Sequence, residues 1–216
     1  MKRIFSLILL SACLISCKAH NMSQNERGSN FVAASKTFEP GKKYIDDCPA
    51  AQREKAMIDT SVYPTATFSI ITVETGSEKG KDGKLVTLYT HQAVDTADIE
   101  NNTKLEIYSG GCEAYGNTYA FIMPAVKTKT SDTKFWYKKS ADLIAQISKG
   151  VKPEGIGLPE LESALRKESE AKKPEKLGEQ VMIEKGLYGI GDRGARVDVE
   201  QKGDKTVLKI THSVSL

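Results

Sequence analysis

The sequence predicts an α+β domain: an antiparallel sheet of about seven strands, in blocks of four and three, packed by one main amphipathic helix. Three observations predict it. Period-two alternation of apolar and polar residues runs through residues 66–124, and apolar residues at helical spacing follow in 132–149. Three further alternating runs lie beyond residue 179, in a stretch too short to fold alone, so they are expected to dock on the first sheet or its helix.

Taken in order, residues 50–58 place Ala51, Lys55 and Ile58 on one face of a short helix. Phe68 and Ile70 then alternate with Thr67, Ser69 and Ile71, and the phase slips near residues 71–73, as a bulge or a strand end makes it. Residues 76–83 form a charged turn ending in Asp82-Gly83, a hairpin signal, and residues 85–90 form the second strand. The third covers residues 103–108, with Leu105 and Ile107 on one face. Gly110-Gly111 and Gly116-Asn117 bracket a turn, after which Tyr119, Phe121 and Met123 share a face of the fourth strand and Pro124 closes it.

In 132–149, Trp136, Leu143 and Ile147 stand at i, i+7 and i+11, with Tyr137 and Ile144 beside them. Ser131 or Asp132 caps the start, Gly150 suits the position after the end, and Pro153 prevents continuation. Residues 152–178 are a charged, proline-containing connection. Within it Pro159 starts a short peripheral helix with Leu161 and Leu165 inward and Glu162–Arg166 and Glu168–Lys172 pairs outward. Strands at 180–185, 195–200 and 206–214 follow, the last two joined by a Gly203-Asp204 turn.

Composition sets the outer bounds. The chain of 216 residues is 39% hydrophobic and 27% charged, enough for one core and against wholesale disorder. Lys and Arg number 31 against 28 Asp and Glu, for a net charge of +3. So small a charge creates no strong field and argues against a dedicated nucleic-acid binder.

The N-terminus supplies the address. Lys2 and Arg3 precede an apolar run over residues 4–15, too short for a transmembrane helix, with small residues after it. Leu14-Ile15-Ser16-Cys17 resembles the lipobox of bacterial lipoprotein precursors. In that family the cysteine thiol receives a diacylglyceryl group and the bond before it is cut. A second match, Leu10-Ser11-Ala12-Cys13, makes Cys13 the alternative; Cys17 is favoured because polar chain begins right after it. An ordinary secretory signal without lipid is the other reading. Lys18, where an Asp would mark inner-membrane retention, implies an outer-membrane location by the same resemblance. The organisation expected is a signal peptide over 1–16, a lipid-anchored flexible tether over 17–43, and a single domain over 44–216. Loss of Lys2 and Arg3 with the signal leaves the mature chain nearly neutral.

Two cysteines remain in the exported domain, Cys48 and Cys112, and an even pair in an oxidising compartment reads as one disulfide. It would close a loop of about 65 residues, for roughly 4 kcal/mol of stabilisation in the chain-entropy model. A catalytic or metal-bound thiol would need partners; there is no CxxC, and no histidine is near either cysteine.

Other motifs are weighed against plainer readings. Gly189-Ile190-Gly191-Asp192-Arg193-Gly194 matches GxGxxG, yet the following residues alternate as a strand, where the dinucleotide mechanism needs a helix N-terminus. It reads as a glycine-rich turn. His20, His91 and His212 have no metal-ligand spacing, and no GxSxG elbow exists. Neither Asp95 nor Glu113 stands out from the other carboxylates as a catalytic group.

Lysines 127, 129, 134, 138 and 139 surround Phe135-Trp136-Tyr137. Two readings follow: a helix start whose aromatics face the core while the lysines extend to water, or a contact for lipid headgroups or glycan. Tyr115 and Trp136 are the aromatics singled out for such a surface. The functional expectation is a membrane-anchored envelope lipoprotein that binds or assembles without catalysis. It would take no cofactor and no nucleic acid, and its partners would be the bilayer and an envelope protein or glycan. The alternatives are an envelope hydrolase with a site built from distant residues, and a carrier of apolar ligands.

Overall fold

The alternation that begins at residue 66 is carried much further by the chain than the sequence predicts. The computed structural model describes residues 36–45, 53–110, 114–153, 157–186 and 191–215. A short strand β1 (Lys43–Tyr44) is followed by β2 (Thr67–Lys79) and β3 (Leu85–Ile99), of 13 and 15 residues. These pair antiparallel from Thr67 opposite Thr96 to Lys79 opposite Leu85, with the register shift between Glu74 and Gly76 rather than near residue 72. Next come β4 (Thr103–Gly110), β5 (Ala114–Pro124), helix α1 (Thr133–Ile147) and helix α2 (Leu158–Glu170). The chain ends with β6 (Gln180–Glu184), β7 (Arg193–Lys202) and β8 (Lys205–Ser215).

The α+β expectation is corrected: the protein is mostly β. Among the described residues one eight-stranded sheet runs β1-β3-β4-β5-β8-β7-β6, with β2 on the other edge of β3, and it carries two short helices. The last three strands join the first sheet, as expected, and they do so edge to edge. β8 pairs with β5 over both strands' full length, from Ala114 opposite Ser215 to Pro124 opposite Lys205. That pairing fuses the two halves edge to edge, because both strands alternate over eleven residues and place their apolar phases on the same face. Among the described strands every pairing is antiparallel except β1 with β3, so the sheet is mixed.

Register sorts the core residues into rows. Leu105, Phe121, Leu208 and Val199 lie side by side across four strands, and Ile107, Tyr119, Ile210 and Val197 form the next row. Both helices lie against this face. Trp136, Tyr137, Leu143, Ile144 and Ile147 of α1 and Leu158, Leu161 and Leu165 of α2 are buried with those rows in one cluster. Burying each large apolar side chain contributes about 1.5–3 kcal/mol.

Helix α1 starts as its sequence predicts: the Asp132 carboxylate accepts the Phe135 N–H at 3.1 Å. Gly150 is needed for closeness, since a Cβ there would lie 2.7 Å from Val62 and Tyr63 side chains. Arg166 ties α2 to α1, donating to Glu162 at 2.8 Å and Asp142 at 3.2 Å. The helix expected over 50–58 does not form in its described part. Residues 53–58 are not helical, and Ile58 bridges Val151 instead.

Ahead of β1, the segment from Lys36 is strapped to β3. The His91 Nε2–H donates to the Thr37 carbonyl at 2.8 Å, and Tyr44 stacks on the His91 ring at 4.8 Å. Phe38 meets both rings edge-on. No helix of the described residues is long and apolar enough to cross a membrane.

Candidate functional site

One row of the core face is polar where its neighbours are apolar. The pairings Ser109–Asn117 and Asn117–His212 put three polar side chains side by side on β4, β5 and β8. All three are buried. The Ser109 hydroxyl donates to the Asn117 carbonyl oxygen at 2.8 Å, which leaves the Asn117 amide nitrogen without a partner. Both His212 ring nitrogens are likewise buried and unpartnered, and the Tyr119 hydroxyl is buried beside the Asn117 side chain. Each unpartnered atom costs about 1–3 kcal/mol.

Beside this row Asp95 and Arg53 form a buried ion pair, Nη2 to Oδ2 at 2.6 Å. Asp95 also accepts the Met57 N–H at 2.8 Å, while Arg53 donates to the Lys55 carbonyl at 3.0 Å and lies over the Phe68 ring. Burial pushes the Asp95 carboxyl above its ordinary value, against the opposing pull of Arg53 and the backbone N–H groups. Burial, together with the positive charge of Arg193, pulls His212 down to about 4, so its ring is neutral at neutral pH. Burial raises the Tyr119 phenol as well.

These groups do not make a catalytic set. The Ser109 proton is directed to an amide, the Asp95 charge is met by Arg53, and His212 has no carboxylate in hydrogen-bond reach. His91 is engaged by Thr37. At His212 the condition that would favour a hydrolase, a histidine paired with a carboxylate in an open pocket, is not met.

Among the described residues no helix lies on the other face of the sheet. Its central strands form a hollow of about 400 Å³. Ala120, Ile122 and Val207 make the apolar part of its lining; Tyr108, Gln92, Thr118 and Lys209 are among the polar groups around them. Two ion pairs lie here, Lys104 with Glu106 at 2.8 Å and Lys202 with Glu200 at 3.0 Å, and Lys209 adds a further positive charge to the lining. The Tyr108 hydroxyl donates to Glu106 at 2.5 Å, and burial with this bond pushes the phenol up to about 12. Burial alone would raise the Glu106 carboxyl, but the bonds from Lys104 and Tyr108 outweigh it and hold it below the usual range. A second hollow, about 570 Å³, lies between α2 and β6, with Glu160, Lys167 and Glu168 on its helical wall.

No family model, curated protein or solved structure matches this chain.

Trp136 is wholly buried, its indole N–H donating to the Lys129 carbonyl at 2.9 Å, so it is no part of a surface platform. Tyr137 is buried too, and both follow the reading in which the aromatics face the core. Tyr115 is half-buried on β5, opposite Val214. Cys13, Cys17, Cys48, Cys112 and His20 lie outside the described residues, as does Glu113. Of the GxGxxG stretch, Gly191 sits in a turn at φ +81° and Gly194 lies in strand β7, without the helix that phosphate binding needs. Among the described residues no three His, Cys, Asp or Glu side chains are grouped to hold a metal.

Sequence reasoning missed Arg53 and the special position of Asp95. A signal existed for the second: Asp95 shares the strand phase of Ala93, Ala97 and Ile99, all buried. A carboxylate in that phase requires a buried partner.

Proposed function

We propose that the chain is an envelope lipoprotein, anchored through Cys17 or alternatively Cys13, that binds a hydroxyl-rich glycan on the open face of its sheet and catalyses nothing. The anchor rests on the lipobox resemblance, and an outer-membrane location follows from Lys18. A Cys48–Cys112 disulfide belongs to the same reading. Intact mass after membrane extraction tests all three cysteine assignments. A diacylglyceryl increment on Cys17 supports the anchor, and an unlipidated mature chain removes it.

The observation that carries the binding reading is the charge-balanced hollow. Its lining sets two acids, Glu106 and Glu200, against two bases, Lys202 and Lys209, which disfavours polyanions, while Tyr108, Thr118 and Gln92 offer donors and acceptors around an apolar floor. A ligand dense in hydroxyl groups with apolar ring faces fits that chemistry. Co-sedimentation with purified peptidoglycan sacculi tests it, using an Ala120→Arg variant that fills the hollow. The wild type is expected to pellet and the variant to stay in solution with an unchanged circular dichroism spectrum. Equal pelleting of both, no pelleting of either, or release of new reducing ends overturns the reading.

A further inference from the structure

The two outermost strands of the sheet are defended unequally. Strand β6 has five residues, a register shift between Met182 and Glu184, and a salt bridge from Glu184 to Arg193. These are the usual protections against stray strand pairing. Strand β2 has 13 residues and pairs only with β3 among the described residues, which leave the N–H and C=O groups of its outer edge without a strand partner. Its second half is guarded by Glu74, the irregularity before Gly76, Glu78 and Lys79.

The first half is not guarded. Thr67-Phe68-Ser69-Ile70-Ile71-Thr72-Val73 contains no charge, no proline and no glycine, and five of its residues are β-branched. Ser69 and Ile71 are exposed on the open face, Ile71 by 38%. The described stretches flanking the remaining N-terminal residues form no strand pair with β2. Lys43–Tyr44 lie on the opposite edge of β3, and Arg53 lies against Asp95 and the Phe68 ring.

We propose that this edge joins two copies of the chain, β2 pairing antiparallel with the partner copy's β2 about a two-fold axis at Ile70. A two-fold contact must be self-complementary, and this segment is. Centred on Ile70, Thr67 faces the partner's Val73, Phe68 faces the partner's Thr72, and Ser69 faces the partner's Ile71. The first charge outside the segment, Glu74, faces the partner's Ala66, so no like charges are opposed. An edge without charge has nothing to select a foreign strand of complementary charge, whereas its own copy matches it in length and polarity. Facing residues share a face of the sheet, so the open faces of both copies become one continuous surface. The contact is a single strand pair, smaller than the roughly 1,000 Å² of a stable interface, so the dimer is weak and concentration-dependent. The inference stands apart from glycan binding, since neither uses the other's residues.

Cysteine cross-linking of the full chain in its own membrane tests it. Ile70→Cys puts the two thiols opposite each other, while Leu85→Cys, on a residue 72% exposed at the start of β3, reports random collision. The expected result is a disulfide-linked dimer for Ile70→Cys at a yield at least about tenfold that of Leu85→Cys, above the wild-type background. Adding Ser69→Lys to Ile70→Cys places a charge on the edge and is expected to return the yield to the Leu85→Cys level. Equal yields for Ile70→Cys and Leu85→Cys overturn the proposal, as does a cross-link to a different protein. Sedimentation velocity of the wild type and of Ser69→Lys reads the same edge without cross-linking. A concentration-dependent dimer lost in the variant supports it, and a monomer throughout, or a dimer indifferent to Ser69→Lys, overturns it.

Discussion

Arg53 and Asp95, 42 residues apart in sequence, meet as a 2.6 Å ion pair closed off from water beneath the Phe68 ring. The pair fixes the entry to the domain, because Asp95 also holds the Met57 N–H, and Met57 and Ile58 belong to the core. Asp95→Asn leaves the guanidinium buried and uncompensated and is expected to cost about 3–5 kcal/mol. Replacing both residues, Arg53→Met with Asp95→Leu, is expected to recover most of that loss. Urea unfolding midpoints of the three variants check it.

His212 makes stability depend on pH. Its ring is depressed from 6.5 to about 4, so from pH 6.5 downward the unfolded chain takes up a proton that the folded chain refuses. Stability contributed by the neutral ring is whole above pH 6.5 and is lost as pH falls toward 4, by about 3 kcal/mol in all. His212→Leu removes the proton site and two unpartnered nitrogens together. The variant is expected to match or exceed wild-type stability at pH 7 and to show a flatter profile between pH 4 and 6.5. Denaturant titrations at half-unit pH steps measure this.

The seam between β5 and β8 tests the single-sheet architecture. A Cβ on Gly116 would lie 2.6 Å from the His212 carbonyl oxygen, so the neighbouring backbone must move. Gly116→Ala is expected to cost about 1–3 kcal/mol. Gly110→Ala, whose Cβ would meet only the Gln92 side chain at 3.5 Å, is expected to be nearly neutral. Paired thermal melts distinguish them, and equal stability would count against the register of that seam.

Local chemistry was legible and long-range pairing was not. The cap at Asp132, the buried stripe of α1 and the alternation of β7 and β8 are all set within a few residues, and the sequence predicts them closely. Gly116-Asn117 reads as a turn, yet both lie in β5, because Asn117 is buried between Ser109 and His212 across two strand pairings. Strand β3 continues past its expected end at residue 90 through His91, Gln92 and Asp95. These polar residues look like a strand stop until their partners, Thr37 for His91 and Arg53 for Asp95, are in place. The union of both halves depends on pairs such as Tyr119 with Ile210, which no local pattern encodes. The open-face hollow was hidden for the same reason, since its lining is shared among β3, β4, β5, β7 and β8.

Methyl and amide chemical shifts recorded while soluble peptidoglycan fragments are added test the binding face most directly. Along β5 and β8 successive side chains point to opposite faces, so a ligand on the open face is expected to shift Ala120, Ile122 and Val207. Phe121, Leu208 and Ile210, their immediate neighbours on the core face, are expected to stay in place. Shifts confined to the core-face residues, or no shift at saturating fragment, would contradict the account.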